Sequence, residues 1–127
     1  RPLDYGHWSA HRLERLADGD LKHGEAVAIG LGIDAALAVE LGHATSEFQH
    51  RVLGVLHKLG FTLDHPQLDD PAALFVGIEQ FRAHLGGALT LTLVAEPGVS
   101  FDIHEADFDL ISKAIERHRS MVRTLLV

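Results

Sequence analysis

His23-Gly24-Glu25-Ala26-Val27-Ala28-Ile29-Gly30-Leu31-Gly32-Ile33-Asp34-Ala35-Ala36-Leu37-Ala38-Val39-Glu40-Leu41 is the stretch on which the fold class turns. It reads as one long helix. Glu25 falls in the first turn, where a carboxylate suits the positive end of the helix dipole, and Gly42 stands just past the end. From Ala26 to Leu41 it is the longest apolar run in the chain, yet Gly30, Gly32, Asp34 and Glu40 interrupt it. That makes it too short and too polar for a membrane span. Gly30 and Gly32 cost about 1 kcal/mol each relative to alanine inside a helix. Their expected use is close packing against another element, not contact with a ligand.

Working outward, a first helix is expected from about Tyr5 to Ala17, carrying Trp8 and Leu13, with Asp18-Gly19-Asp20 ending it. Downstream, Thr45 or Ser46 can cap a third helix, and Ser46 with Gln49 has capping-box spacing. Phe48, Val52, Val55, Leu56 and Leu59 then recur at helical intervals before Gly60. After a loop at Asp64-His65-Pro66, Asp70 and Pro71 open a fourth helix, with Leu74, Phe75, Ile78 and Phe81 on its buried face. At Leu89 the period changes to two. Leu89, Leu91 and Leu93 alternate with Thr90 and Thr92, Glu96-Pro97-Gly98 turns the chain, and Val99, Phe101 and Ile103 return. A last helix, starting at Glu105 or Asp107 and running toward Leu125, is expected to bury Phe108, Ile111, Ile115 and Val122. The expected fold class is therefore mainly α, several helices with one small β-hairpin, as a single domain over residues 1–127.

Composition narrows the function. Of 127 residues, 46% are apolar and 23% charged, ordinary values for a globular chain with a real core. The formal charge is −7 and no Lys/Arg run stands out, which argues against nucleic acid as a partner. The chain has no cysteine, so disulfides and thiolate metal sites are excluded, in keeping with a cytoplasmic setting. No basic-then-apolar signal segment is read at the start of this sequence. The first residue is Arg1, not Met, and the residues after it read as the inside of a motif, so the beginning of the protein is expected to lie elsewhere.

Two histidine groups carry the chemistry. His7 and His11, in Gly6-His7-Trp8-Ser9-Ala10-His11, are four apart, which on a helix places both on one face about 6 Å apart at Cβ. His23-Gly24-Glu25 opens the long helix, and the Asp18-Gly19-Asp20 turn can fold it back so that His23 faces His7. Neutral imidazole suits a zinc-like ion, and three ligands with an open position is the usual catalytic arrangement. Spacing alone leaves a second reading open, in which these are solvated or core histidines and Trp8 is a core residue. His43, His50, His57, His65, His104 and His118 read as surface or capping histidines, and Gly86-Gly87 as a turn.

The segment Leu3-Asp4-Tyr5-Gly6-His7-Trp8-Ser9-Ala10-His11-Arg12-Leu13-Glu14 resembles the 3-dehydroquinate synthase signature Leu-Asn-x-Gly-His-Thr-x-Gly-His-Ala-x-Glu. His23-Gly24-Glu25-Ala26-Val27-Ala28-Ile29-Gly30 resembles the same family's second signature, in order and at the expected distance. The resemblance, which extends over the helices and the hairpin, implies the C-terminal domain of that family's fold. It implies a divalent metal, zinc or cobalt, held by His7 and His23 with a glutamate from a region N-terminal to this chain. It implies His11 as a catalytic residue that helps hold an anionic, phosphorylated sugar substrate. It places the NAD site mainly on an N-terminal domain, or on a partner chain that supplies it, so that this chain alone is not a complete catalyst.

The departures fall on substrate-facing positions. Asp4 stands where the family has an asparagine that contacts substrate, and an acid there repels an anion unless it is neutral or paired. Trp8 replaces a threonine. Arg82, in Phe81-Arg82-Ala83-His84, stands near a family lysine and is the expected substrate-binding and catalytic cation, with a planar fork of donors in place of a point charge. The implied activity is a metal- and NAD-dependent sugar-phosphate cyclase, a carbon–oxygen lyase that eliminates phosphate and closes a ring by intramolecular aldol addition. Two alternatives stand beside it: a metal-dependent polyol dehydrogenase of the glycerol dehydrogenase type, and a non-catalytic helical binding module. An apolar docking face would favour a homo-oligomer.

Overall fold

The computed structural model describes residues 7–17, 19–84, 86–87 and 89–125, apart from the side chains of His7, Trp8, His11 and His84. Among these, the elements are α1 (His7–Ala17), α2 (His23–Glu40), α3 (Ser46–Lys58), α4 (Pro71–His84) and α5 (Phe108–Leu125), with one antiparallel hairpin, β1 (Leu91–Glu96) and β2 (Val99–Ile103), between α4 and α5 in the chain. The chain is thus mainly α with a single hairpin, as its periodicities predict. A 3-10 turn, Pro66–Asp69, occupies part of what reads as plain loop in the sequence.

α2 is the axis of the fold. A helix that is apolar on every side is stable only when covered on every side, and α1, α3, α5 and β1 all pack on it. Ile29, Ile33 and Leu37 share one core with Leu13 of α1, Leu74 and Ile78 of α4, Leu91 and Leu93 of β1, and Ile111 and Ile115 of α5. On the other side Ala28 meets Leu53 and Leu56 of α3 together with Leu63 and Val122. Each large side chain buried this way contributes about 1.5–3 kcal/mol. Gly32 lies where α2 meets α5. A Cβ there would stand 2.4 Å from His118 Cε1 and 2.9 Å from Leu53 Cδ2, so the expected close approach is real at this position.

His118 is the main correction to the histidine assignments. It is not a surface residue: its side chain is 0% exposed, and Nε2 donates to the Leu63 carbonyl at 2.7 Å. Burial pushes its pKa below the ordinary histidine value, a tendency the Leu63 hydrogen bond only partly opposes. His65 is a capping residue as expected, its Nδ1 accepting from the Gln67 N–H at 3.1 Å.

The starts of α3, α4 and α5 follow their capping residues. Thr45 Oγ1 accepts from the Phe48 N–H at 3.1 Å, so Thr45 is the cap of α3. The Ser46–Gln49 capping box does not form, because Gln49 is buried and its Nε2 donates instead to the Arg117 carbonyl at 3.4 Å. Asp70 accepts from the Ala73 N–H at the start of α4, and Asp107 from the Leu110 N–H at the start of α5.

Apolar periodicity does not by itself mean burial. Val55 and Leu59 are exposed, Leu59 by 68%, because α3 turns Gln49, Leu53 and Leu56 to the core. Phe108 is 45% exposed at the start of α5, where its ring meets Phe75 edge-on with centroids 5.8 Å apart. In the hairpin Leu91 pairs with Ile103 and Leu93 with Phe101, with an irregularity between Val94 and Glu96. Thr92, on the face expected to meet solvent, is buried, and its hydroxyl donates across the strands to Asp102 at 2.7 Å.

Candidate metal centre

The site grows from the turn between α1 and α2. Asp20 N–H bonds back to the Ala17 carbonyl at 3.0 Å, and Gly19 at φ 90° occupies the left-handed region that glycine enters without a Cβ clash. Because His65 Nδ1 accepts from Gln67, its proton sits on Nε2, which donates to Asp20 Oδ2 at 3.1 Å. The 3-10 turn therefore clamps the α1–α2 turn. A further tie runs from Arg12 Nε to the Ala73 carbonyl at 2.9 Å, joining α1 to α4.

His23 is the first residue of α2. Lys22 precedes it in an extended conformation without a side-chain cap. The His23 side chain is 63% exposed, and its Nδ1 is hydrogen-bonded to Glu14 Oε1 of α1. A carboxylate can only accept, so Nδ1 carries the proton and the Nε2 lone pair lies on the far side of the ring. Nothing among the described residues bonds that nitrogen. A neutral imidazole with Nε2 open and Nδ1–H held by a carboxylate is the form in which histidine ligates a zinc-like ion. In that respect the residues present fit a divalent metal.

The remaining expected site residues are placed as follows. Asp4 lies outside the described residues, as do the side chains of His7, Trp8 and His11; α1 does carry positions 7, 11 and 14 at intervals that share one helix face. Arg82 is in the last turn of α4. Its Nε is buried and without a hydrogen bond among the described residues, with the Glu79 carboxylate 4.0 Å away. No hydrogen bond or ion pair among the described residues joins Arg82 to His23 or Glu14. Nor do the described histidines and carboxylates by themselves gather three or more potential ligands. Glu14 is the residue that reading for ligands missed. Its signal was its place on α1, three residues beyond His11 and seven beyond His7.

The 3-dehydroquinate synthase C-terminal family matches residues 1–77. The chain is 35% identical over 98 residues to a 3-dehydroquinate synthase of Latilactobacillus sakei subsp. sakei (strain 23K), covering 77% of this chain and 26% of that protein. It is 30% identical over 126 residues to a 2-epi-valiolone synthase of Actinosynnema mirum, covering 94% of this chain and 32% of that protein. Among solved structures it is similar to 2-epi-5-epi-valiolone synthase from Streptomyces hygroscopicus subsp. jinggangensis 5008, with NAD+ and Zn2+ bound there. That likeness has a TM-score of 0.88 at 26% identity and covers 94% of this chain and 33% of that one. The chain thus spans between a quarter and a third of the length of these relatives. Among the described residues, no helix is long and apolar enough to cross a membrane.

Proposed function

This chain belongs to the 3-dehydroquinate synthase C-terminal family, and on that premise we propose that it is the metal-binding helical portion of a metal- and NAD-dependent sugar-phosphate cyclase. The observation that carries the reading is His23, held at the mouth of α2 through Nδ1 with Nε2 open. His7 and His23 hold the divalent ion, zinc or cobalt, and a glutamate from outside this chain completes its ligands. The bound NAD+ and Zn2+ of the 2-epi-5-epi-valiolone synthase support that cofactor set. When bound, NAD supplies a reversible hydride acceptor and the metal polarises substrate oxygens.

The chain's own residues then bind and orient. His11 on α1 and Arg82 on α4 receive the anionic groups of a phosphorylated sugar. Arg82 suits this because its Nε is buried with no hydrogen-bond partner among the described residues, and a charge-assisted contact to an oxyanion is the strong kind. The reaction expels phosphate and closes the ring by intramolecular aldol addition. Asp4 and Trp8, in place of an asparagine and a threonine, reshape the substrate side while leaving both metal histidines in place. The substrate is accordingly a sugar phosphate other than that of 3-dehydroquinate synthase.

The test is made on the protein that carries this chain, loaded with NAD and zinc. Phosphate should be released from a cyclisable sugar phosphate without net NADH, and the 3-dehydroquinate synthase substrate should react poorly. Ordinary turnover of that substrate would overturn the substrate assignment. Steady NADH production from a polyol would replace the cyclase with a dehydrogenase.

A further inference from the structure

We propose that Glu14 is a positioning residue for the metal centre: it fixes the ring orientation and tautomer of His23 so that Nε2, and not Nδ1, meets the ion. The inference rests on the reading of His23 as a ligand and extends it to a residue with no assigned role. Its basis is the hydrogen bond between His23 Nδ1 and Glu14 Oε1, which spans two helices.

Glu14 is presented from a rigid mount. Its neighbour Leu13 is fully buried in the main core, and Arg12 is bonded to the Ala73 carbonyl. At the other end of the contact, the turn leading into α2 is held by His65 on Asp20. A side chain on a fixed helix, reaching an imidazole at the first position of the next, determines which way the ring faces. The pair has no evident purpose as a stability device, because an ion pair as open as this one contributes about 0–1 kcal/mol. Ligating histidines are commonly oriented by a carboxylate on the second ring nitrogen, and loss of that partner typically weakens metal affinity about 10- to 100-fold.

The experiment has two readouts. In the metal-free 127-residue chain at pH 8, nitrogen-15 correlation spectra report the His23 tautomer. Wild type should show Nδ1–H, Glu14→Ala should shift toward Nε2–H, and Glu14→Gln, whose amide oxygen still accepts, should keep Nδ1–H. In the protein that carries this chain, zinc affinity should fall about 10- to 100-fold in Glu14→Ala and recover largely in Glu14→Gln, with thermal stability unchanged in both. Wild-type His23 in the Nε2–H form would overturn the proposal, as would a Glu14→Ala variant with unaltered tautomer and zinc affinity. His23→Ala separates the two ideas. If it leaves zinc affinity intact, the ligand reading itself fails, whatever the Glu14 variants do.

Discussion

Gly32→Ala is expected to destabilise the fold by about 3 kcal/mol and to lower Tm by roughly 10 °C, although alanine is the better helix former by about 1 kcal/mol. The added Cβ would lie 2.4 Å from His118 Cε1, 2.6 Å from its Nδ1 and 2.9 Å from Leu53 Cδ2. The ring cannot swing aside freely, because Nε2 is bonded to the Leu63 carbonyl inside the core. Either α2 and α5 separate, or the ring moves and strands a buried carbonyl, which costs about 1–3 kcal/mol in addition to the overpacking. Thermal unfolding of Gly32→Ala, His118→Ala and the double variant checks the cause. The two losses should be strongly non-additive, with Gly32→Ala costing little once the ring is gone. Equal costs in both backgrounds would place the strain elsewhere.

The same histidine makes stability pH-dependent in one direction. Burial lowers its pKa in the folded chain, while in the unfolded chain it titrates near the ordinary value of about 6.5. Below that pH the unfolded state binds the proton and the native state does not, so folding stability falls as pH falls. Above about pH 6.5 both forms are neutral and the contribution is fully present. The decline can reach about 1.4 kcal/mol per pH unit until His118 protonates in the folded state. Asp64 nearby favours the charged ring and Arg119 opposes it, both weaker than the burial. With ten histidines in the chain, the informative quantity is a difference. Chemical denaturation between pH 5 and 8 should show a shallower acid slope in His118→Gln than in wild type. Identical slopes would mean that His118 is not the group responsible.

Much of this was legible along the chain. Caps and breakers placed the helix ends, because Thr45, Asp70 and Asp107 act through bonds to residues three positions away. The hairpin was legible for the same reason, its Pro97-Gly98 turn and alternating leucines being local. What escaped was set by distant elements. The period of α3 marked Val55 and Leu59 as apolar, but whether anything covers them depends on where α5 and the hairpin lie. His118 shares the α5 stripe of Ile111, Ile115 and Val122, so its position pointed inward while its residue type suggested the surface. At the candidate metal site His23 is legible from its motif. Its hydrogen-bond partner Glu14 is visible only once α1 and α2 lie side by side, since a contact between two helices is fixed by packing and not by spacing.

Zinc titration of the protein that carries this chain, beside a His7→Ala, His23→Ala double variant, decides whether these two histidines hold the ion. One tight zinc site per chain is expected, abolished in the double variant, with the helical fold retained. Zinc affinity unchanged by loss of both histidines would contradict the proposed ligands.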